Sequence, residues 1–152
     1  MTPSRPRRYA IDTHLYIDAL RTEAGKTALI TFQSAFAPFI ALSSVVAQEL
    51  LAGVRRSAST RLDANLIAPF ERRGRVFVPS HSAWKEAGRV LGELIGPAGW
   101  RTVTRSFVND VLLATSCREA GFVLVTGNAA DFARIAQVRS FDFVAPWPAL
   151  PR

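Results

Sequence analysis

Residues 122–126 read Phe-Val-Leu-Val-Thr and form the clearest strand pattern in this sequence of 152 residues. The run lies between Gly121 and Gly127, is uncharged and is too short for a typical helix. Uninterrupted apolar runs of this length are typical of the central strands of parallel sheets, which helices cover on both faces. The stretch therefore predicts the centre of an α/β sheet.

Four further short runs accompany this strand, with helical patterns between them. The predicted strands are 8–12, 39–43, 76–78 and 138–144, and the predicted helices are 13–23, 26–37, 44–53, 55–73, 80–95 and 104–120. Gly25 is predicted to end the first helix and Ser44 to cap the third, while Gly96 to Gly99 is predicted as a break. Because alternating strands and helices are typical of βαβ units, we predict a three-layer α/β/α domain around a parallel sheet of about five strands.

Length and composition are those of one globular domain. A hydrophobic fraction of 49% suffices for a core, so we predict a single domain over residues 1–152 with a proline-rich tail at 145–152. The one cysteine, Cys117, excludes a disulfide framework and favours a reducing, cytoplasmic setting. The uncharged window 27–48 contains polar residues and a proline, so it predicts a buried helix, turn and strand rather than a membrane span.

The charge of the chain favours a polyanionic partner. The formal charge is +7, and 17 of the 19 basic residues are arginine, whose planar fork binds phosphate oxygens in pairs. A basic balance alone also occurs in proteins that bind no nucleic acid. The segment 55–75 is especially rich in arginine, and its charged face is either an RNA track or an ordinary solvated helix face. The candidate RNA contacts are Arg55, Arg56, Arg72 and Arg73.

Four acidic residues occupy positions that this fold would bring together. Asp12 ends the first strand, Asp131 lies five residues after Thr126, and Glu49 lies on the helix that follows the second strand. Asp110 lies within the helix 104–120, on a stripe of apolar residues. Ligand sites in open parallel sheets form beyond the carboxyl ends of the strands. We therefore expect the four acids to meet at that edge.

A group of carboxylates at such an edge suggests metal-dependent chemistry on a phosphodiester. A carboxylate on an apolar helical stripe is costly unless something compensates its charge, and Mg²⁺, which prefers oxygen ligands, is one such compensation. Carboxylates around one or two of these ions can activate water and stabilise an in-line attack on phosphorus.

Each acid also has a simpler explanation when it is taken alone. Asp12 or Thr13 can cap the first helix, and Asp131 can belong to a capping arrangement with Asn128. The other two acids can form ordinary ion pairs. The alternative pairs are Glu49 with Arg55 or Arg56, and Asp110 with Arg105 or Arg118.

Four stretches, taken in order, resemble one known family. They are 9–13 (YAIDT), 44–50 (SVVAQEL), 109–114 (NDVLLA) and 126–132 (TGNAADF), and they span residues 9–132. In this order they resemble the PIN domain, and most closely the VapC-type toxins of bacterial toxin–antitoxin pairs. Each stretch is weak alone, but all four in order form a fairly specific signal.

The resemblance implies an endoribonuclease that depends on Mg²⁺ or Mn²⁺ and cleaves RNA with metal-activated water. It assigns Asp12, Glu49, Asp110 and Asp131 to the catalytic acids, with Asp12 and Asp110 as direct metal ligands and the other two acting through water. It further implies a homodimer and a cognate antitoxin that covers the toxin. The polar residues that support the acids in the family match Thr13, Thr126 and Asn128.

Some positions depart from the family pattern, and others have only a structural interpretation. His14 stands where Asn or Ser is usual and is predicted to face solvent, and Gly127 is expected to loosen the turn before Asn128. Trp84 and Trp100 are predicted as core or interface residues, while Trp147 can pack on the domain or dock on a partner. Cys117 is predicted to be a buried core residue.

Two other functions remain open at this stage. One is a PIN-like RNA-binding module without catalysis. The other is a phosphoacceptor signalling domain, which also gathers acids around Mg²⁺ at strand ends. A phosphoacceptor domain would need a lysine after the last strand, whereas the two lysines here are Lys26 and Lys85.

Overall fold

A computed structural model describes residues 5–149, and its centre is a five-stranded sheet of order β3-β2-β1-β4-β5. Every neighbouring pair of strands is parallel, which confirms the predicted architecture. The strands are β1 (Arg8–Ile11), β2 (Ile40–Ser43), β3 (Val76–Phe77), β4 (Phe122–Val125) and β5 (Phe143–Val144).

Helices connect the strands and flank the sheet, as the alternating pattern predicts. They are α1 (Thr13–Arg21), α2 (Glu23–Phe36), α3 (Ser44–Ala52), α4 (Arg56–Leu62), α5 (Ala68–Arg72), α6 (His81–Gly99), α7 (Arg105–Ala120) and α8 (Ala129–Val138). A 3₁₀ turn (Ala37–Phe39) precedes β2, and a π-helical turn (Asp63–Ile67) joins α4 to α5.

The central pair of strands, β1 and β4, fixes the position of the candidate site. Ile11 pairs with Val125, and both side chains are buried. The backbone N–H of Asp12 donates to the carbonyl of Val125 at 2.9 Å, which extends the pairing one residue past β1. Asp12 and Thr126 are therefore neighbours where the two strands end.

Gly25 does not end a helix, contrary to the prediction. It lies in the first turn of α2, where its N–H donates to the hydroxyl of Thr22 at 3.0 Å. The break between α1 and α2 falls at Thr22, whose backbone is extended. A glycine is needed at position 25 because a Cβ there would lie 2.5 Å from Oδ2 of Asp18 and 2.8 Å from its backbone carbon.

Gly25→Ala is accordingly expected to lower the free energy of unfolding by about 1 to 2 kcal/mol, the usual cost of overpacking. Gly88→Ala is the matched control, because Gly88 lies inside α6 with nothing within 4 Å of a Cβ placed there. That control should gain about 0.5 to 1 kcal/mol from helix propensity. Urea unfolding measures both changes, and equal effects at the two positions would contradict the close approach to Asp18.

Other boundaries differ from the predictions by small amounts. Ser43, not Ser44, caps α3, since its hydroxyl accepts the N–H of Val45 at 3.2 Å. The last strand does not begin at Val138, which ends α8, so β5 covers only two residues of the predicted 138–144. The predicted break is present as a kink within α6, where Gly96 has a φ of 64°.

No helix within residues 5–149 is long and apolar enough to cross a membrane. The predictions for the three tryptophans have different outcomes. Trp147 is partly buried and packs on Phe32 with ring centroids 5.2 Å apart, whereas Trp84 and Trp100 are 56% and 57% exposed and are not core residues. The last three residues of the proline-rich tail, 150–152, lie outside the described residues.

Candidate active site

A cleft of about 880 Å³ opens beyond the carboxyl ends of the central strands. Its acidic and amide-bearing walls come from the residue after β1, from α3 and α7, and from the turn after β4. The predicted site residues that line it are Asp12, Thr13, Glu49, Asp110 and Asn128, together with His14.

Asp12 both caps a helix and faces the cleft, so the two explanations offered for it hold together. Its Oδ1 accepts the backbone N–H of Thr13 at 2.8 Å, which caps α1. Its Oδ2 accepts the hydroxyl of Thr126 at 2.6 Å. The carboxyl group is only 5% exposed, and these two donors hold it in one orientation at the edge of the cleft.

The turn after β4 connects Asp12 to Asp131. The Thr126 hydroxyl accepts the backbone N–H of Asn128 at 3.0 Å, and the side-chain amide of Asn128 donates to Oδ2 of Asp131 at 3.1 Å. Asp131 lies in the first turn of α8, where the helix dipole favours a negative charge. The turn is hydrogen-bonded across Gly127, so the loosening expected there is not observed.

Glu49 is held by neutral donors. Its Oε2 accepts the hydroxyl of Thr13, and its Oε1 accepts the side-chain amide of Asn109 at 2.9 Å. The alternative pairing with Arg55 or Arg56 is wrong, because the ion pairs within residues 5–149 join Glu86 to arginines on α6 and after α8. The charge of Glu49 therefore remains available to the cleft.

Asp110 experiences the combined charge of the site. The residue is 8% exposed on α7, and burial, followed by the charges of Asp12, Glu49 and Asp131, raises its pKa from 3.8 to about 7. Neither Arg105 nor Arg118 forms an ion pair with it among the described residues. The other three acids therefore lie close enough to Asp110 to disfavour its charge.

Cys117 lies on the same helix but does not belong to the site. It is fully buried, and burial, with a smaller contribution from the charge of Asp12, raises the pKa of its thiol. A protonated thiol without access to solvent is a poor nucleophile. The prediction that Cys117 is a core residue is confirmed.

The site offers carboxylate oxygens, the ligand type that hard divalent cations prefer, but no closed protein cage. Within residues 5–149, no three carboxylate, imidazole or thiolate side chains stand close enough to enclose an ion. Mg²⁺ in enzymes is commonly held by one or two carboxylates together with water and substrate phosphates. Burial and the charges of Asp12, Glu49 and Asp131 raise the pKa of Asp110, and a cation would relieve the part that comes from repulsion.

Sequence reasoning assigned no role to Asn109, although it lies directly before Asp110 in one of the quoted stretches. Its amide bridges α7 to Glu49 on α3 and also approaches Oε1 of Gln48 at 3.5 Å. An amide directly before a buried acid can indicate a site residue from sequence. Its hydrogen-bond partner cannot be read there, because it depends on how two distant helices pack. Trp100 and Arg105 also line the cleft, and both are exposed.

The predicted RNA-contacting arginines are exposed but do not line the acidic cleft. Arg55 directly precedes α4 and Arg56 begins it. Arg72 is the last residue of α5, and Arg73 follows it. Arg73 instead borders a separate, mainly apolar groove of about 590 Å³ between α1, α2, α4 and α5. The structure therefore separates the arginine-rich segment from the acids.

Thr126→Val tests whether the hydroxyl positions Asp12. Valine keeps the shape of threonine but loses the bond to Asp12 and the acceptor for the N–H of Asn128, in a site that is 1% exposed. We expect a 10- to 100-fold loss of any activity supported by the acids, in line with the effect of removing partners of metal ligands. Thr126→Ser should restore most of the activity in a steady-state assay, whereas equal loss in both variants would contradict the positioning role.

Comparison with known proteins identifies the fold. No family profile and no curated protein matches the chain. Solved structures with this fold include a chain of DNA-bound VapBC from Salmonella typhimurium, with a TM-score of 0.66 and 19% identity, covering 92% of this chain and 98% of that one. A chain of VapBC2 from Rickettsia felis, bound to a promoter DNA fragment, has a TM-score of 0.62 and 23% identity, covering 92% of this chain and 98% of that one. A chain of VapBC-1 from nontypeable Haemophilus influenzae has a TM-score of 0.61 and 20% identity, covering 90% of this chain and 96% of that one.

At these identities the likeness establishes the fold. The chain has the three-layer α/β/α architecture found in chains of VapBC toxin–antitoxin complexes, over almost its whole length. This is the architecture that the resemblance to VapC-type PIN domains implies.

Proposed function

We propose that this protein is a metal-dependent endoribonuclease that acts as the toxin of a toxin–antitoxin pair. The observation that carries the proposal is that Asp12, Glu49 and Asp110 line one cleft at the carboxyl edge of the sheet, where burial and the charges of Asp12, Glu49 and Asp131 raise the pKa of Asp110. A cluster of this kind suits chemistry at a phosphodiester. The overall charge of +7 favours a polyanionic substrate.

In the proposed mechanism, Asp12 and Asp110 would hold a Mg²⁺ or Mn²⁺ ion, and Glu49 and Asp131 would act through water. A bound divalent cation supplies a water of lowered pKa and offsets the charge that develops on the phosphodiester. The threonines at 13 and 126 fix the orientation of the carboxylates, as their hydrogen bonds indicate. Water would attack phosphorus as one phosphorus–oxygen bond to ribose breaks. Its oxygen would stay on the phosphate, one of its protons would pass to the ribose oxygen that leaves, and no covalent enzyme intermediate would form.

The proposed partners follow from the charge of the chain and from the complexes in which chains of this fold occur. The exposed Arg55, Arg56, Arg72 and Arg73 would extend the RNA contact away from the cleft, in which case binding should weaken as salt rises. Chains of this fold occur in VapBC toxin–antitoxin complexes, which supports a cognate antitoxin for this chain. We further propose a homodimer that acts in the cytoplasm.

The decisive experiment is cleavage of labelled total RNA by the purified protein, with Mg²⁺ or Mn²⁺ and then with excess EDTA. Cleavage that requires the metal and disappears in Asp12→Asn is expected. Cleavage that survives both EDTA and the substitution would come from a contaminating nuclease. RNA binding without cleavage, in protein shown by mass spectrometry to be free of a co-purified inhibitor, would favour the RNA-binding module instead.

A further inference from the structure

We propose that Trp100 is a stacking platform for a nucleobase of the substrate in the acidic cleft, and so a residue that determines how tightly RNA binds there. The inference rests on the proposed function and adds to it a residue that contacts the substrate. It depends on the placement of one exposed aromatic ring, on an arginine that lines the same cleft, and on a comparison with Trp84, a second exposed tryptophan.

Trp100 presents a large apolar surface to the cleft. It lies directly after α6, lines the same cleft as Asp12 and Asp110, and is 57% exposed. Within residues 5–149 its ring takes part in none of the aromatic or cation–π pairs, in contrast to Trp147. Exposing an indole ring to water is unfavourable, and an aromatic ligand that covered it would gain free energy.

The charges around Trp100 suit a nucleotide rather than an apolar side chain. Arg105 lines the same cleft and is exposed, and it begins α7, the helix that carries Asp110. Arg105 and Asp110 both lie on α7 and both line the cleft. A phosphate bound at Arg105 would therefore lie in the same cleft as the acids while its base lay on Trp100. An aromatic ring together with an arginine is the usual combination for binding single-stranded nucleic acid.

Stacking on Trp100 requires a base that has left its own stack. Paired bases in an RNA helix cover one another and offer no free face, whereas bases in loops and single strands can turn outward onto aromatic side chains. The contribution of Trp100 to binding should therefore be confined to RNA that offers an unpaired base.

Trp84 is the matched control for Trp100. Both belong to the α6 region and are about equally exposed, but Trp84 is absent from the lining of the cleft. Trp100→Ala is expected to raise KM for a single-stranded oligonucleotide about tenfold while kcat changes little, since base stacking contributes mainly to binding. Trp100→Phe should restore KM, and Trp84→Ala should leave both constants unchanged.

A binding measurement on Asp12→Asn separates this inference from catalysis. Single-stranded RNA is expected to quench tryptophan fluorescence, the quenching should be lost in Trp100→Phe and retained in Trp84→Phe, and a duplex of the same sequence should quench little. Unchanged KM in Trp100→Ala, or equal quenching by duplex and single strand, would overturn the inference. So would a shift in sedimentation of Trp100→Ala, because it would place Trp100 in a protein interface. If the wild type cleaves no RNA, the proposed function fails, while the quenching still decides whether Trp100 stacks on a base.

Discussion

Asp12→Asn is expected to lower the rate of RNA cleavage by about 10²- to 10³-fold, a loss typical of removing one preorganised electrostatic contact from an active site. The variant removes a charge, and it also disturbs the hydrogen bonds at the strand end. The carboxylate accepts from two donors, the N–H of Thr13 and the hydroxyl of Thr126. An amide has a single oxygen, so its NH₂ group must face one of these donors.

The measurement is the cleavage rate at saturating Mg²⁺, with circular dichroism to show that the variant is folded. Asp63→Asn is the control, because Asp63 is an exposed acid in the π-helical turn and lies outside the cleft. It should cleave RNA at the wild-type rate. A folded Asp12→Asn protein that retained full activity would remove Asp12 from the catalytic site.

The parts of the site that lie on the sheet could be predicted from sequence, because local patterns determine them. The run 122–126 placed Thr126 at the end of a strand and Asp131 beyond it, and the register of β1 against β4 brings Asp12 beside Thr126. The apolar stripe on α7 likewise predicted that Asp110 would be buried, and it is.

Contacts between distant helices could not be predicted in this way. The bond from Asn109 to Glu49 joins residues 60 apart in sequence, and it depends on how α7 packs on α3. The same limit explains why Arg55 and Arg56 were possible partners for Glu49 and why Trp84 and Trp100 were assigned to a core or interface. The helix stop predicted at Gly25 failed for another reason, since this glycine serves a close approach to Asp18 and not a chain reversal.

Asp110→Asn is expected to stabilise the metal-free protein while abolishing cleavage. Burial and the charges of Asp12, Glu49 and Asp131 raise the pKa of Asp110 to about 7, so its ionised form is costly in the folded state and not in the unfolded state. The raised pKa sets an upper limit of about 4 kcal/mol on this cost. Because water enters the cleft and screens the charges, we expect a gain of about 2 kcal/mol, or about 4 to 8 °C in Tm.

The sign of the pH dependence follows from the same pKa. Between pH 4 and 7 the unfolded chain loses the Asp110 proton while the folded chain retains it, so the wild-type protein loses stability relative to Asp110→Asn as pH rises, and the difference is constant above pH 7. Thermal unfolding in EDTA at pH 5 and pH 8 measures this difference, with Asp63→Asn as control. Adding Mg²⁺ at pH 8 should raise Tm more in the wild type than in Asp110→Asn, because only the wild type has this charge to neutralise. A variant less stable than the wild type at pH 8 would mean that the Asp110 carboxylate stabilises the fold. The four acids would then not form a site whose repulsion a cation relieves.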